Sequence, residues 1–177
     1  MSKQYRTLHR SCAGAVLALA LLGVTACSPA TENAATDTPE SSPESTGHIL
    51  PAAQVKAITD AVNADVEEGS FRTSSGPRPS YQLDAKKQKT IMNIRDEDQS
   101  KWEKGIYRFQ VFCIGQGTLN ASFTVGDQTE SISDMVCSDG VTSENVTLSI
   151  DEANNSVVST EPSDDSKSEI AYRIEKL

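Results

Sequence analysis

Residues 105–125 have the sequence GIYRFQVFCIGQGTLNASFTV, and this stretch decides the fold class. Apolar and polar side chains alternate along it in two runs, residues 107–113 and residues 118–125. Alternation with a period of two is typical of β-strands that bury one face and expose the other. The segment GQG, residues 115–117, separates the two runs and is interpreted as a hairpin turn. The stretch therefore predicts two strands joined by a turn.

The same alternation continues towards the C-terminal end of the chain. Four further short runs predict strands: ESISDMVC at 130–137, NVTLSI at 145–150, SVVST at 156–160 and EIAYRIEK at 169–176. The turn residues GD, 126–127, and SDG, 138–140, lie on either side of the first of these runs. Several short strands at near-regular spacing indicate a mainly β protein, an antiparallel β-sandwich or barrel.

One N-terminal amphipathic helix is predicted in addition to the strands. Its apolar residues recur at the spacing of one helix face: Val55, Ile58, Val62 and Val66. Pro51 suits the first turn of a helix and Gly69 suits its end. We therefore expect a helix over residues 51–68.

The region between this helix and the first clear strand has weaker patterns. SSGPRPS, residues 74–80, is interpreted as a loop because glycine and proline interrupt regular structure. YQL, residues 81–83, and TIMNI, residues 90–94, are interpreted as short strands. The residues from Arg95 to Gly105 are expected to form a polar connection around Trp102.

The first 27 residues form a separate pattern. Three basic residues precede the apolar run AGAVLALALLGV at 13–24, which is shorter than the about 20 residues that a spanning helix needs. The run ends in VTAC, residues 24–27, which resembles a bacterial lipobox. The resemblance implies that residues 1–26 are a signal peptide and that Cys27 carries a diacylglyceryl group at the start of the mature chain. An ordinary secretory signal, cleaved near Ala26, is the alternative.

The segment that follows is expected to be a tether. Residues 28–47 contain no aromatic residue, leucine, isoleucine or valine, so they cannot bury enough apolar surface to offset the entropy of ordering. We expect residues 27–47 to be a lipidated, disordered tether and residues 48–177 to be a single β-rich extracytoplasmic domain. The lipid would hold this domain at the outer side of the cell membrane.

The cysteines favour a disulfide. The chain has four, of which Cys12 lies in the expected signal peptide and Cys27 is the expected lipid acceptor. The remaining pair, Cys113 and Cys137, is an even number in an exported chain, which favours a bond between them. Free thiols with a catalytic or metal-binding role are the alternative. His48 is the one histidine outside the signal peptide, and the spacing matches no CxxC site.

The charge excludes some classes of partner. The formal net charge is −9, which opposes binding to the phosphates of nucleic acid and to an anionic lipid surface. The expected contact with the membrane is therefore the lipid on Cys27, and no nucleic-acid partner is expected.

The sequence offers little for catalysis. Triad-type nucleophilic catalysis and typical zinc sites both use histidine, so we expect a protein that is not an enzyme and has no cofactor. Two uses of acidic residues stay open. Paired acids for a hydrolase acting on wall glycans would come from Asp134 or from the group Asp96, Glu97 and Asp98. Oxygen ligands for a structural calcium ion would come from three loops, residues 95–100, 138–140 and 161–169.

Residues 105–140 also resemble a motif of small actinobacterial lipoproteins. It consists of a glycine, an aromatic strand, a cysteine, a Gly-x-Gly turn, a second alternating strand and a later cysteine. The resemblance implies an extracytoplasmic β-domain with a disulfide and no assigned activity. More loosely, the strands look like those of sugar-binding jelly rolls, a likeness at the level of the fold.

These patterns favour a non-catalytic module that binds an envelope glycan or a protein. The expected binding face lies near the FCIGQG turn: Tyr107, Phe112, Ile114 and Gln116. Phe112 and Ile114 point away from the expected core, so they call for a partner. A second core layer beneath the helix is the alternative. A structural or regulatory lipoprotein that presses its helix against a membrane partner also stays open, and it predicts an exposed apolar stripe on residues 51–68.

Overall fold

The computed structural model describes residues 47–64 and 70–177. The expected signal peptide, Cys27 and almost all of the expected tether lie outside these residues. The elements are α1 (Ala52–Asn63), β1 (Phe71–Pro79), β2 (Tyr81–Leu83), β3 (Lys89–Ile91), β4 (Ile94–Asp98), β5 (Gly105–Gln116), β6 (Thr118–Val125), β7 (Gln128–Val136), β8 (Thr142–Ile150), β9 (Ser156–Pro162) and β10 (Lys167–Lys176). No helix among the described residues has the length and apolar character needed to cross a membrane.

The strands form two four-stranded sheets and a separate two-stranded one. Sheet 1 has the order β1-β10-β5-β8, sheet 2 has the order β4-β9-β6-β7, and β2 pairs with β3. Every pairing is antiparallel. The inner faces of the two large sheets pack against each other, with Phe109 of β5 and Phe123 of β6 at 5.4 Å between ring centroids. The prediction of an antiparallel β-sandwich with one helix is confirmed.

Trp102 closes one end of the core. Its side chain is fully buried, and its ring lies 5.1 Å from the ring of Tyr107 and 5.6 Å from that of Phe123. The backbone of Trp102 pairs with that of Ala153 in an isolated bridge. The predicted polar connection is found in residues 99–104, where the neighbours of Trp102 are exposed, but the Trp102 ring packs into the core. Residues 95–98 of the predicted connection belong instead to β4.

The segment GQG is not a hairpin turn. β5 belongs to sheet 1 and β6 to sheet 2, so the chain crosses from one sheet to the other here. Gly117 has a φ of 101°, and a Cβ at this position would lie 2.6 Å from the Cα of Ser166. The crossing therefore needs glycine for conformation and for space. Of the other expected turns, GD is confirmed, because it joins β6 to β7 in register from Val125 to Gln128.

A disulfide between Cys113 and Cys137 joins the two sheets. Cys113 lies on β5 of sheet 1, and Cys137 directly follows β7 of sheet 2. The Cα atoms are 5.5 Å apart, within the usual range for a disulfide. The prediction of this bond is supported, and the bond links strands of different sheets.

Helix α1 lies on the outer face of sheet 1. It contacts β10, β1 and β5 and buries Ile58 and Val62 against Phe112, Ile114 and Ala171. The helix ends at Asn63, because Ala64 is extended (φ −77°, ψ 148°), and residues 65–68 of the expected helix, with Val66, lie outside the described residues. The exposed stripe required by the membrane-partner hypothesis is also not found in α1.

The segment expected to be a loop is an edge strand. β1 includes all but the last residue of SSGPRPS and pairs with β10, but its register shifts between Ser75 and Arg78. Proline is tolerated on edge strands and at such irregularities because it need not donate to a neighbour. β2 and β3 agree with the predicted short strands, although TIMNI divides between β3 and β4.

Candidate functional site

The residues of the expected binding face do not form a surface. Phe112 and Ile114 are 4% and 2% exposed beneath α1, and Tyr107 is 2% exposed in the main core. Gln116, at the end of β5, is exposed. The binding-face prediction is therefore corrected, and the second core layer beneath the helix is what the structure contains. These two outer-face positions of β5 are apolar because α1 covers them.

The acids of β4 are paired with residues around them. Asp96 accepts hydrogen bonds from both terminal nitrogens of Arg78 at 2.9 Å and from the Tyr172 hydroxyl at 2.8 Å. Arg78 and Tyr172 belong to sheet 1, so this network joins the two sheets along one side of the sandwich. Burial, and then the hydrogen bond to Asp96, raises the pKa of Tyr172 well above its ordinary value. Asp96 thus has a structural role.

The next acids along β4 have partners of their own. Partial burial of Asp98 acts to raise its pKa, but hydrogen bonds from Ser100 and the charge of Arg72 outweigh this and leave the pKa lowered. Glu97 forms an ion pair with Arg95 at 2.8 Å. Asp134 lies on β7, at the opposite edge of sheet 2 from β4. The candidate acids therefore do not converge into the pair that a glycan hydrolase needs.

The loops expected to offer calcium ligands do not form a cluster. Glu169, at the end of the third loop, is fully buried and accepts hydrogen bonds from the backbone of Ile49 at 2.8 Å and from the His48 ring at 3.1 Å. Within the residues that the structure describes, no three histidine, cysteine or acidic side chains are grouped to hold a metal ion.

The outer face of sheet 2 is polar and, within the described part of the chain, has no helix packed on it. Ser122 of β6 lies opposite Ser131 of β7 on one side and opposite Ser159 of β9 on the other. The three serines therefore form a row across adjacent strands, with a spacing of about 4.8 Å from strand to strand. Asn120 and Glu161 face each other in the neighbouring row.

These side chains line a shallow concavity of about 220 Å³. We call it the serine face and define it by six polar residues: Asn120, Ser122, Ser131, Ser133, Ser159 and Glu161. Small side chains alternate here with larger ones, which leaves space above the strands. The serine face is the candidate functional site.

A bulge shapes one end of the serine face. The pairing of β6 with β7 shifts register between Leu119 and Ala121, opposite a stretch of β7 in which Asp134 has a φ of 54°. The backbone N–H of Asp134 donates to Oδ1 of Asn120 at 2.9 Å. Bulges redirect side chains and increase local twist, and this one fixes the orientation of the Asn120 amide.

The charge of the serine face comes from Glu161. This residue is exposed, and its carboxylate has neither an ion-pair nor a hydrogen-bond partner among the described residues. Arg95 lies opposite Ser159 on β4, and its guanidinium is paired with Glu97. The face is therefore rich in neutral donors and acceptors and carries one free carboxylate.

Sequence reasoning identified only part of this site. The alternation of residues 118–125 correctly placed Asn120 and Ser122 on the wet face of a strand. The serines of β7 and β9 lie in runs that were also predicted to be strands, but their alignment with Ser122 depends on register. A count of serine and asparagine at alternate strand positions is the signal that would have pointed to this face.

No family model matches the chain, and no curated protein matches its sequence. The solved structures that are similar to it include two binding modules. One is a carbohydrate-binding module from a Cellvibrio mixtus lichenase in complex with cellotriose, 15% identical, with a TM-score of 0.35, covering 63% of this chain and 95% of that chain. The other is a xylan-binding domain from Paenibacillus barcinonensis, 8% identical, with a TM-score of 0.34, covering 62% of this chain and 89% of that chain. The sandwich is defined here by the strand pairing itself.

Proposed function

We propose that this chain is a non-catalytic binding module of the cell envelope, anchored by lipid on Cys27, and that its binding surface is the serine face. The observation that carries the proposal is that the outer face of sheet 2 is polar and is left uncovered by the residues that the structure describes, with a concavity of about 220 Å³. The outer face of sheet 1, in contrast, is occupied by α1. A ligand therefore has access to sheet 2.

The anchoring part of the proposal comes from the sequence of residues 1–27. An apolar run that ends in a cysteine, followed by a polar segment, suits lipid attachment and a spacer. Two acyl chains on one residue hold a protein at a membrane firmly, whereas one holds it weakly. The tether would then let the domain reach a partner in the envelope.

The non-catalytic part is supported by the arrangement of the acids. The carboxylates of β4 are held by arginines and by Tyr172, and the free carboxylate of Glu161 has no second acid among the residues that line the serine face. General acid–base hydrolysis of a glycan needs two carboxyl groups on either side of the bond. Binding without cleavage is the use that fits this arrangement.

Cell fractionation tests the anchor. We expect the Cys27→Ser variant to move from the membrane fraction to the soluble fraction, because the lipid acceptor is lost. A Cys12→Ser variant is the control and should stay with the membrane. Retention of the Cys27→Ser protein in the membrane would contradict lipid anchoring.

Co-sedimentation with isolated cell envelopes tests the binding surface. The full chain with Cys27→Ser is compared with the same chain carrying Ser122→Trp, which fills the concavity. Ser149→Trp is the matched control, because Ser149 is an exposed serine on β8 of sheet 1. We expect Ser122→Trp alone to abolish co-sedimentation, and equal binding by both variants would show that the serine face is not the binding surface.

A further inference from the structure

We infer that the ligand of the serine face is an uncharged glycan, recognised through its hydroxyl groups. This inference rests on the proposed function, because it names the ligand class of the same face. Three properties of the face favour this class: its hydrogen-bonding groups, its charge, and the lack of tryptophan, tyrosine and arginine among the residues that line the concavity.

The hydrogen-bonding groups match those of a sugar. Ser131, Ser122 and Ser159 lie in one row across three strands, and each hydroxyl both donates and accepts. Sugar hydroxyls have the same double capacity, so each serine can serve a ligand hydroxyl in either direction. The amide of Asn120, held by the backbone of Asp134, adds donors in the neighbouring row.

The charge of the face selects against anions. The Glu161 carboxylate only accepts hydrogen bonds, and hydroxyl groups are donors that it can bind with charge assistance. An anionic ligand would be repelled by this carboxylate, and the guanidinium of Arg95 is already paired with Glu97 at 2.8 Å. The overall negative charge of the chain acts in the same direction.

The composition of the face argues against a protein partner. Binding energy at protein–protein interfaces comes mainly from tryptophan, tyrosine and arginine, and none of these residues lines the concavity. Among the described residues of sheet 2 the one aromatic side chain is that of Phe123, and it is buried in the core. A ligand on this face would be held by hydrogen bonds and not by ring stacking.

Calorimetric titration of the full lipidated chain, in a detergent without a sugar headgroup, tests the ligand class. Three probes are used: an uncharged soluble β-glucan, the cationic glycan chitosan and an anionic polyuronate. We expect binding to the β-glucan, loss of that binding in Ser122→Trp, and about tenfold weaker binding in Glu161→Gln, because a neutral acceptor replaces a charged one. Glu144→Gln, an exposed acid on β8 of sheet 1, is the matched control and should bind as the parent chain does.

The outcomes separate this inference from the proposed function. Preference for the polyuronate, or preference for chitosan that Glu161→Gln removes, would overturn the uncharged class while leaving the face as a glycan site. Absence of binding to all three glycans, together with loss of envelope co-sedimentation in Ser122→Trp, would overturn the inference that the ligand is a glycan and would indicate a protein partner. Unchanged co-sedimentation in Ser122→Trp would overturn both proposals. Thermal unfolding of each variant shows whether the fold is retained.

Discussion

The two large sheets have similar inner faces and very different outer faces. Both inner faces are apolar and meet in one core, whereas the outer face of sheet 1 is covered by α1 and that of sheet 2 is polar and open. β10 shows the consequence, because eight consecutive residues, 168–175, are buried, while β6 alternates between buried and less buried positions. The pattern of buried and exposed residues along a strand therefore depends on what packs on both faces of its sheet.

The covered face also holds buried charged groups, and none of the described residues on the open face is of this kind. Arg173 donates to the carbonyl of Val62 at 3.0 Å, to that of Ala64 at 2.5 Å and to the side-chain oxygen of Gln110 at 2.9 Å. It thereby satisfies carbonyl groups at the end of α1, which have no partner within the helix. The helix is thus held to sheet 1 by apolar packing and by a side chain from the sheet.

The largest expected effect comes from removing the apolar contact beneath α1. Phe112→Ala should lower the free energy of unfolding by about 3–5 kcal/mol, because it leaves a cavity under the helix. Ser122→Ala on the serine face should change it by less than about 0.5 kcal/mol. Urea unfolding of the two variants measures the contrast, and equal effects would show that the two outer faces do not differ in this way.

A smaller effect is expected from the arginine that holds the helix. Arg173→Met should cost about 2–3 kcal/mol and speed hydrogen exchange in α1, because carbonyls of Val62 and Ala64 lose their buried donor. Arg95→Met is the matched variant on sheet 2, where the ion pair with Glu97 is exposed, and it should cost less than about 1 kcal/mol. Unchanged exchange in α1 of Arg173→Met would contradict the role assigned to this residue.

The smallest effect concerns the contact between the two sheets. Tyr172→Phe should cost about 1 kcal/mol at neutral pH through loss of the hydrogen bond to Asp96. Because the folded pKa of Tyr172 is raised, its contribution is complete below the ordinary value of about 10 and is lost as the pH rises above it. The parent chain should therefore lose more stability than Tyr172→Phe between pH 9 and pH 11.

Urea unfolding across this pH range measures the difference. An equal loss in both proteins would show that burial of the Tyr172 hydroxyl does not contribute to the alkaline transition. At neutral pH, the difference in unfolding free energy between the two proteins measures the hydrogen bond to Asp96 alone. Comparison with the difference at pH 11 then gives the contribution of Tyr172 ionisation.

The parts of the fold that could be predicted are those in which the alternation of apolar and polar residues along one strand shows which side chains are buried. The alternation of β6 gave the correct buried face, with Leu119 and Phe123 inside. Trp102 was missed because a single aromatic residue among polar neighbours has no period to reveal its burial. β1 was missed because glycine and proline usually interrupt strands, and only its place at a sheet edge makes them acceptable.

The candidate site depended on relations between distant segments. The sequence placed Ser122 on the solvent-exposed face of its strand. Ser131 and Ser159 lie beside Ser122 only because of the register of the three strands. For Phe112 and Ile114 the sequence showed that the side chains are apolar and lie on the outer face of a strand. It did not show whether a ligand or a helix covers them. The sequence alone does not identify the surface that packs against an apolar residue on the outer face of a sheet.

The fold class, the buried side of the main strands and the cysteine pair follow from the amino-acid sequence, because period-two alternation and residue chemistry are local properties. The crossing of GQG between the sheets, the packing of α1 on sheet 1 and the position of the open face on sheet 2 became known from the structure. A strand pattern distinguishes buried from exposed positions, but it does not identify the element that buries them. On the outer face of sheet 1, Phe112 and Ile114 pack against the apolar side of α1, whereas the six residues that define the serine face are polar and form no apolar surface for a helix.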